Sequence, residues 1–279
     1  MKVLVTGANG YIGAHVVSYL LDHTPHNVIA VDFNNNFIDH RATFISHDIL
    51  ADADKNSLYD DLGRPEALIH LAWRNGFNHK AESHITDLPS HYLFLKNMVD
   101  SGISSISVMG TMHEVGYYEG AVTENTPCSP LSLYGIGKNA LRQSIFVYTD
   151  EKNISIKWLR AYYIIGDNTR NKSIFSRIID LNTEGKKTFP FTNGTNKYDF
   201  INIKELSKQI SEASIQNKVE GIINVCSGKP IALKDMVETF IKDNNLNIRP
   251  CYGAFPDRKY DSPAIWGDAS KINSILLDR

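Results

Sequence analysis

The first thirteen residues constrain this chain more than any other stretch. Met1-Lys-Val-Leu-Val-Thr6 is a short apolar, β-branched run with the composition of a strand. Thr6-Gly7-Ala8-Asn9-Gly10-Tyr11-Ile12-Gly13 follows, and apolar residues recur at positions 12, 16, 17, 20 and 21, the spacing of one helix face. Strand, glycine turn and helix, in that order, are the context a dinucleotide-binding loop requires. Gly7 allows the tight turn and Gly10 lets backbone approach a pyrophosphate. Gly13 lets helix and strand pack closely, and the helix N-terminus faces the phosphates. The spacing is G-x-x-G-x-x-G, not G-x-G-x-x-G.

The alternation continues. Strand-like runs lie at 28–32, 67–71, 104–109 and 154–160, and helix-like runs at 12–21, 88–101 and 134–149. This predicts an α/β fold, a doubly wound parallel sheet with helices on both faces. Residues 198–203 and 221–225 read as further strands and 233–242 as a helix. Residues 182–197, rich in Asn, Thr, Gly and Lys, read as a loop-rich lobe outside the sheet. The expected organisation is a dinucleotide-binding domain over 1–165, with later returns near 198–226. A smaller C-terminal substrate lobe is expected over 166–197 and 227–279.

Several function classes are disfavoured. The formal net charge of -2 gives no global basic field for nucleic acid or an anionic membrane. Cys128, Cys226 and Cys251 are far apart with no C-x-x-C, so neither a zinc site nor a disulfide framework is indicated and no metal is expected. No apolar run approaches the roughly 18 residues of a spanning helix. The N-terminus runs as a strand straight into the glycine loop, so the expectation is a cytoplasmic protein with reduced thiols.

Chemistry is carried by Tyr134-Gly-Ile-Gly-Lys138. A Tyr and a Lys four apart share one helix face. An ammonium beside the phenol favours its ionised form, so Tyr134 is expected to have a lowered pKa and to exchange a proton with a carbinol or carbonyl. Asp32 ends the second strand about twenty residues after the glycine loop, where a carboxylate binds ribose hydroxyls and repels a 2′-phosphate. That favours NAD, with NADP as the alternative if Arg41 meets the phosphate. Asp48 is placed to accept from an adenine amino group. Small Ala72, in His70-Leu71-Ala72-Trp73, lets backbone approach a cofactor. Thr111, in Met109-Gly-Thr-Met-His113, ends the fifth strand at the ligand-binding edge of such a sheet. His113 either assists there, touching a sugar or a proton, or is a loop histidine. Arg258 suits a diphosphate.

Together these residues resemble the extended short-chain dehydrogenase/reductase family, in its sugar-nucleotide epimerase/dehydratase branch, from Lys2 to about Lys271. The resemblance implies a Rossmann-type fold. It implies a cofactor site of Gly7, Asn9, Gly10, Tyr11, Ile12, Asp32, Asp48, Ile49, Leu71, Ala72, Tyr134, Lys138 and Tyr162. Tyr134 would be the acid/base. Lys138 would lower its pKa and hold the nicotinamide ribose. Thr111 would orient the reacting oxygen. Thr111, Met112, His113, Tyr163 and Arg258 would meet a nucleotide-sugar substrate. The family commonly forms homodimers through two helices per subunit, here 88–101 and 134–149.

The departures from the family pattern matter. Tyr163 stands where Arg-Tyr-Phe-Asn has Asn, and Tyr198-Asp-Phe-Ile-Asn202-Ile replaces Arg-Asp-Phe/Tyr-Ile-His-Val. Met112-His113 occupies the place of a dehydratase's acidic pair. The resemblance therefore implies an NAD(P)-dependent reductase of a nucleotide-activated 4-keto-6-deoxy hexose in surface-polysaccharide synthesis. A sugar-nucleotide 4-epimerase with retained NAD is the alternative.

Overall fold

The computed structural model describes residues 1–166, 170–171, 173–256 and 261–277. Its first half contains β1 (Lys2–Thr6), α1 (Tyr11–His23), β2 (Asn27–Asp32), β3 (Thr43–Ser46), α2 (Leu58–Asp61), β4 (Ala67–His70), α3 (Ser83–Thr86), α4 (Leu88–Asp100), β5 (Ser105–Thr111), a 3₁₀ turn (Met112–Glu114), β6 (Gly120–Val122) and α5 (Leu133–Thr149). The second half adds β7 (Ser155–Ala161), β8 (Tyr163–Ile165), α6 (Ile174–Thr183), β9 (Thr188–Pro190), β10 (Lys197–Asn202), α7 (Ile203–Ser214), β11 (Gly221–Val225), β12 (Pro230–Ala232), α8 (Leu233–Asp243), β13 (Arg249–Cys251), β14 (Ala264–Gly267) and α9 (Ser270–Leu277).

Strands that are apolar on both faces can only be satisfied inside a sheet covered on both sides. Every residue of β4 and β5 is buried, and so are the last four of β1. They form a seven-stranded sheet in the order β11-β7-β5-β4-β1-β2-β3, with every neighbouring pair parallel. The order reverses between β1 and β4, where an open α/β sheet leaves a crevice at its carboxyl end. One face is covered by α1, α7 and α9 through Val16, Leu20, Leu206, Ile210 and Ile272. The other is covered by α2, α4 and α5 through Leu58, Phe94, Leu95, Leu141 and Ile145.

A second sheet, β12-β10-β14-β6 with β8 beside β10, makes the smaller lobe. The expected return of 198–226 to the main sheet is corrected in part. β11 joins that sheet, but β10 pairs with β8, β12 and β14. The period-2 alternation of a strand explains its position. Tyr198 and Phe200 enter the aromatic core of the lobe, whereas Ile201 enters the aliphatic core under α1 and α7. Residue 203 begins a helix instead of ending the strand, because the Asn202 side chain accepts from the Lys204 N–H as an N-cap. β6 crosses over too, pairing with β14 although it precedes α5. No described helix is long and apolar enough to cross a membrane.

Candidate active site

The glycine loop is built by close approach. Gly7 has φ +67°, and a Cβ there would lie 2.7 Å from the Ala72 nitrogen. A Cβ on Gly13 would lie 2.1 Å from the Gly7 carbonyl oxygen. Neither position tolerates a side chain, so α1 seats against the loop and Ala72 against Gly7. The helix starts at Gly10 with no side-chain cap and no acidic residue in its first turn. Its N–H groups are thus left for an anion. Asp32 accepts from the backbone N–H groups of Asn9 (2.9 Å) and Phe33 (2.8 Å), which anchors its carboxylate beside the loop. Asn9 also bonds Asn34 and the Phe37 N–H through its side chain, and its carbonyl accepts from Arg170, whose guanidinium lies 3.9 Å over the Phe37 ring. These residues fit a dinucleotide. Arg41 is committed to Asp39 and Asp22, both at 2.6 Å.

A cavity of about 670 Å³ runs from this loop along the carboxyl ends of β4, β5 and β7 into the smaller lobe. Gly7, Gly10, Tyr11, Ile12, Leu71, Thr111, His113, Tyr134, Lys138, Tyr162 and Tyr163 all line it. The fold therefore brings together residues spread over more than 150 positions. Asp48, Ile49 and Met112 are not brought to it. Asp48 Oδ1 accepts from the Leu50 and Ala51 N–H groups in the turn before α2. Ile49 is buried in the core beneath α2 and α4, and Met112 packs in the aromatic core of the lobe. Met112 opens the 3₁₀ turn after β5 with its side chain in that core and not in the cavity wall, where the substrate role expected for it would place it. Arg258 lies outside the described residues.

Thr111 is held by a capping box. Its hydroxyl accepts from the His113 N–H, and Glu114 accepts from the Thr111 N–H at 2.7 Å. Glu114 is fully buried, also accepts from Trp158 Nε1 at 2.8 Å, and faces Arg160 at 3.3 Å. The Thr111 hydroxyl stands close enough to the Tyr134 phenol to act on its ionisation. Tyr134 is set by α5, whose N-cap Ser132 accepts from the Gly135 N–H, and its own N–H donates to the His79 carbonyl at 3.2 Å.

The expected lowering of the Tyr134 pKa is corrected. Enclosure in the cavity wall pushes the phenol up to about 12, only partly offset by the Thr111 hydroxyl. Lys138 is lowered to about 7 by burial, with the Glu114 carboxylate opposing. Its Nζ donates to the Met109 carbonyl at 2.7 Å and lies over the Trp73 ring. Desolvation dominates at both groups.

Four aromatic residues flank this centre. The His79 ring stacks on Tyr134 with centroids 5.0 Å apart and planes at 18°, and His113 lies 4.3 Å from His79. Trp73 stands 6.5 Å from Tyr134, and Phe77 lines the cavity mouth. Burial lowers His113 to about 3 and lowers His79 as well. Sequence reading missed Trp73 as a site residue, and Phe77, His79 and Glu114 altogether. Residues 73–79 carry no periodicity, yet they directly follow the carboxyl end of β4, where ligand-binding loops emerge. Among the described residues, no group of three or more His, Cys, Asp or Glu side chains is placed to hold a metal ion.

Comparison with known proteins agrees with this geometry. The profile of the NAD dependent epimerase/dehydratase family matches residues 3–226. The chain is 46% identical over 272 residues to a dTDP-6-deoxy-L-talose 4-dehydrogenase (NAD(+)) of Aggregatibacter actinomycetemcomitans, covering 96% of this chain and 99% of that protein. It is 26% identical to a UDP-glucose 4-epimerase of Corynebacterium glutamicum over 268 residues, 85% of this chain and 79% of the other. Among solved structures it superposes on a dTDP-glucose 4,6-dehydratase from Streptomyces venezuelae with NAD bound, with a TM-score of 0.83 and 21% identity, covering 100% of this chain and 92% of that one.

Proposed function

The chain belongs to the NAD-dependent epimerase/dehydratase family, and on that premise we propose that it reduces the 4-keto group of a nucleotide-activated 6-deoxy hexose, with a dTDP-sugar as substrate and NADH as reductant. The observation that carries this reading is the meeting of Thr111, Tyr134 and Lys138 in one cavity with the glycine loop. The substrate class follows the 46%-identical relative and the Met112-His113 pair, which leaves no acidic pair for dehydration. NAD is favoured over NADP because Asp32 faces the loop and Arg41 is held by two carboxylates.

The bound dinucleotide supplies the hydride that C4 receives. Tyr134 gives the proton to the C4 oxygen; burial keeps the phenol protonated at neutral pH. Thr111 donates a hydrogen bond to the same oxygen, and Glu114 keeps it in place through the capping box. Lys138 supplies positive charge near the phenol and N–H groups for ribose hydroxyls. Tyr163, Tyr198, Phe175 and Phe191 give the sugar nucleotide a mainly aromatic wall. Helices α4 and α5 leave Leu93, Ile136 and Val147 exposed, the surface on which a homodimer would form.

Purified protein mixed with NADH and a dTDP-4-keto-6-deoxy hexose should consume NADH one for one with sugar. Intact NADH with folded protein rejects the reading. A second reading, a 4-epimerase that keeps its NAD, is supported by the contact of Arg170 with Phe37 and Asn9 over the glycine loop. Release of NAD on denaturing the purified protein, together with no NADH consumption, would select it.

A further inference from the structure

Trp73 follows β4 and meets the site through Lys138. The Lys138 Nζ stands 3.9 Å from the Trp73 ring centroid, over its face, and donates to the Met109 carbonyl at 2.7 Å. Lys138 is 2% exposed. The carboxylate that acts on it, Glu114, is engaged by Arg160, Trp158 and the Thr111 N–H and forms no ion pair with it. An ammonium at this depth ordinarily needs a partner charge. Among the described residues it meets one carbonyl and one aromatic face.

The indole is itself fixed. Its N–H donates to His84 Nδ1 at 2.9 Å, and His84 Nε2 donates to the Asn78 carbonyl at 2.8 Å. Both bonds are satisfied together by the neutral Nε2–H imidazole. The ring also stacks on His91, with centroids 4.4 Å apart and planes at 18°. His91 bonds His70 at 3.0 Å, and His70 bonds Thr6, the residue before Gly7, at 2.8 Å.

We propose that Trp73 is a positioning residue that holds the Lys138 ammonium by its ring face where a carboxylate would otherwise be required. The inference rests on the catalytic reading of Lys138 given above. A carboxylate would occupy the N–H donors of Lys138 and cancel its charge. An aromatic face attracts the charge through its quadrupole and takes no hydrogen bond. With one N–H on Met109, two remain for ligand hydroxyls. Of the imidazoles packed against the indole and its neighbours, burial keeps His70 and His91 well below the ordinary imidazole range, and His84 offers its Nδ1 lone pair to the indole N–H. Tyr134 faces the same space as a neutral phenol.

The direct test is lysine ¹³Cε NMR of the cofactor-free protein across pH, with Lys138→Met identifying the resonance. Trp73→Leu is expected to lower the Lys138 midpoint by about half to one pH unit. Trp73→Phe, which keeps a weaker ring face, should lower it by less. A midpoint that stays put in folded Trp73→Leu overturns the proposal. Should that variant not fold, Trp73→Phe decides, since an unmoved midpoint there overturns it equally. In turnover, the limb of kcat/KM governed by Lys138 should move with the midpoint and be largely restored in Trp73→Phe. A loss equal at every pH, with the limb in place, would mean a merely structural Trp73 and overturn the proposal. The NMR measurement needs neither sugar nor dinucleotide. Wild-type protein that leaves NADH untouched therefore counts against the reductase reading, and an unmoved midpoint counts against Trp73.

Discussion

Lys138 and Lys157 are both buried, at opposite ends of one parallel sheet. Lys138 sits at the carboxyl end, in the wall of the cavity, against Trp73. Lys157 lies near the amino end of β7, fully buried, and donates to Ser105 Oγ at 2.9 Å and Asn217 Oδ1 at 3.2 Å. Burial lowers the first to about 7 and the second to about 8. A lowered lysine is therefore not in itself a sign of a site. Lys157 is bonded to neutral Ser105 and Asn217, feels the Glu220 carboxylate and is not among the residues lining the cavity, whereas Lys138 lines it with Thr111, Tyr134 and the glycine loop. The surroundings make one a candidate catalyst and leave the other a buried polar group of the sheet.

The comparison can be broken at its active end first. Tyr134→Phe should cut kcat by about 10²–10⁴-fold, the usual worth of a general acid, while NADH binding measured by fluorescence titration is retained. Unchanged turnover would remove Tyr134 from the chemistry.

Lys138→Met and Lys157→Met sharpen the contrast. Lys138→Met should lower kcat/KM by about 10²-fold or more through the same proton-transfer step, with a thermal midpoint no lower than wild type because a buried charge has been removed. Lys157→Met should keep wild-type kcat/KM. A large activity loss in Lys157→Met, with the fold intact by circular dichroism, would undo the distinction drawn between the two ends.

A third test uses pH. In the folded chain both lysines bind protons less tightly than in the unfolded chain, where lysine titrates near 10.5. Between about pH 7 and that value the unfolded state holds more protons, so stability rises with pH across this window. Urea unfolding at several pH values should show that rise, reduced in either Met variant. Activity should move the other way. Reduction measured as kcat/KM should fall as pH climbs through about 7, where free Lys138 loses its proton. His70, His91 and His113 should contribute no limb near 6.5, because burial holds His70 well below that range and lowers His91 and His113 to about 3.

The smallest expected effect is at the cofactor end. Asp32→Asn should weaken NADH binding by about 1.5–3 kcal/mol, the worth of a hydrogen bond to a charged group, and narrow the preference over NADPH. Arg41→Ala should leave both affinities unchanged, since its guanidinium is taken up by Asp39 and Asp22. A drop in NADPH affinity alone would restore Arg41 as a phosphate partner.

Much of the main sheet was legible in the chain. The runs at 28–32 and 154–160 match β2 and β7 within a residue or so at each end, and the run at 88–101 matches α4. These elements carry strong periodicity because each must cover a face of the sheet. α7 was not seen, although it packs on α1 and buries most of its length. It joins the strand-like run before it with no glycine or proline between them. The short strands β6, β8, β9, β12 and β13 are three residues each, too few for a period-2 signal to stand out.

What the sequence by itself determined is local. The strand, glycine turn and helix at residues 2–23 and the four-residue spacing of Tyr134 and Lys138 depend on neighbours within one or two turns of chain, where spacing dictates direction. What only the tertiary structure decided is which distant groups share a dielectric. Trp73 against Lys138, His79 on Tyr134 and Trp158 on Glu114 are meetings of separate elements. Residue spacing suggested that Lys138 would lower Tyr134, and desolvation within the assembled cavity reversed the sign. Burial acts on a charge only once the chain has closed around it.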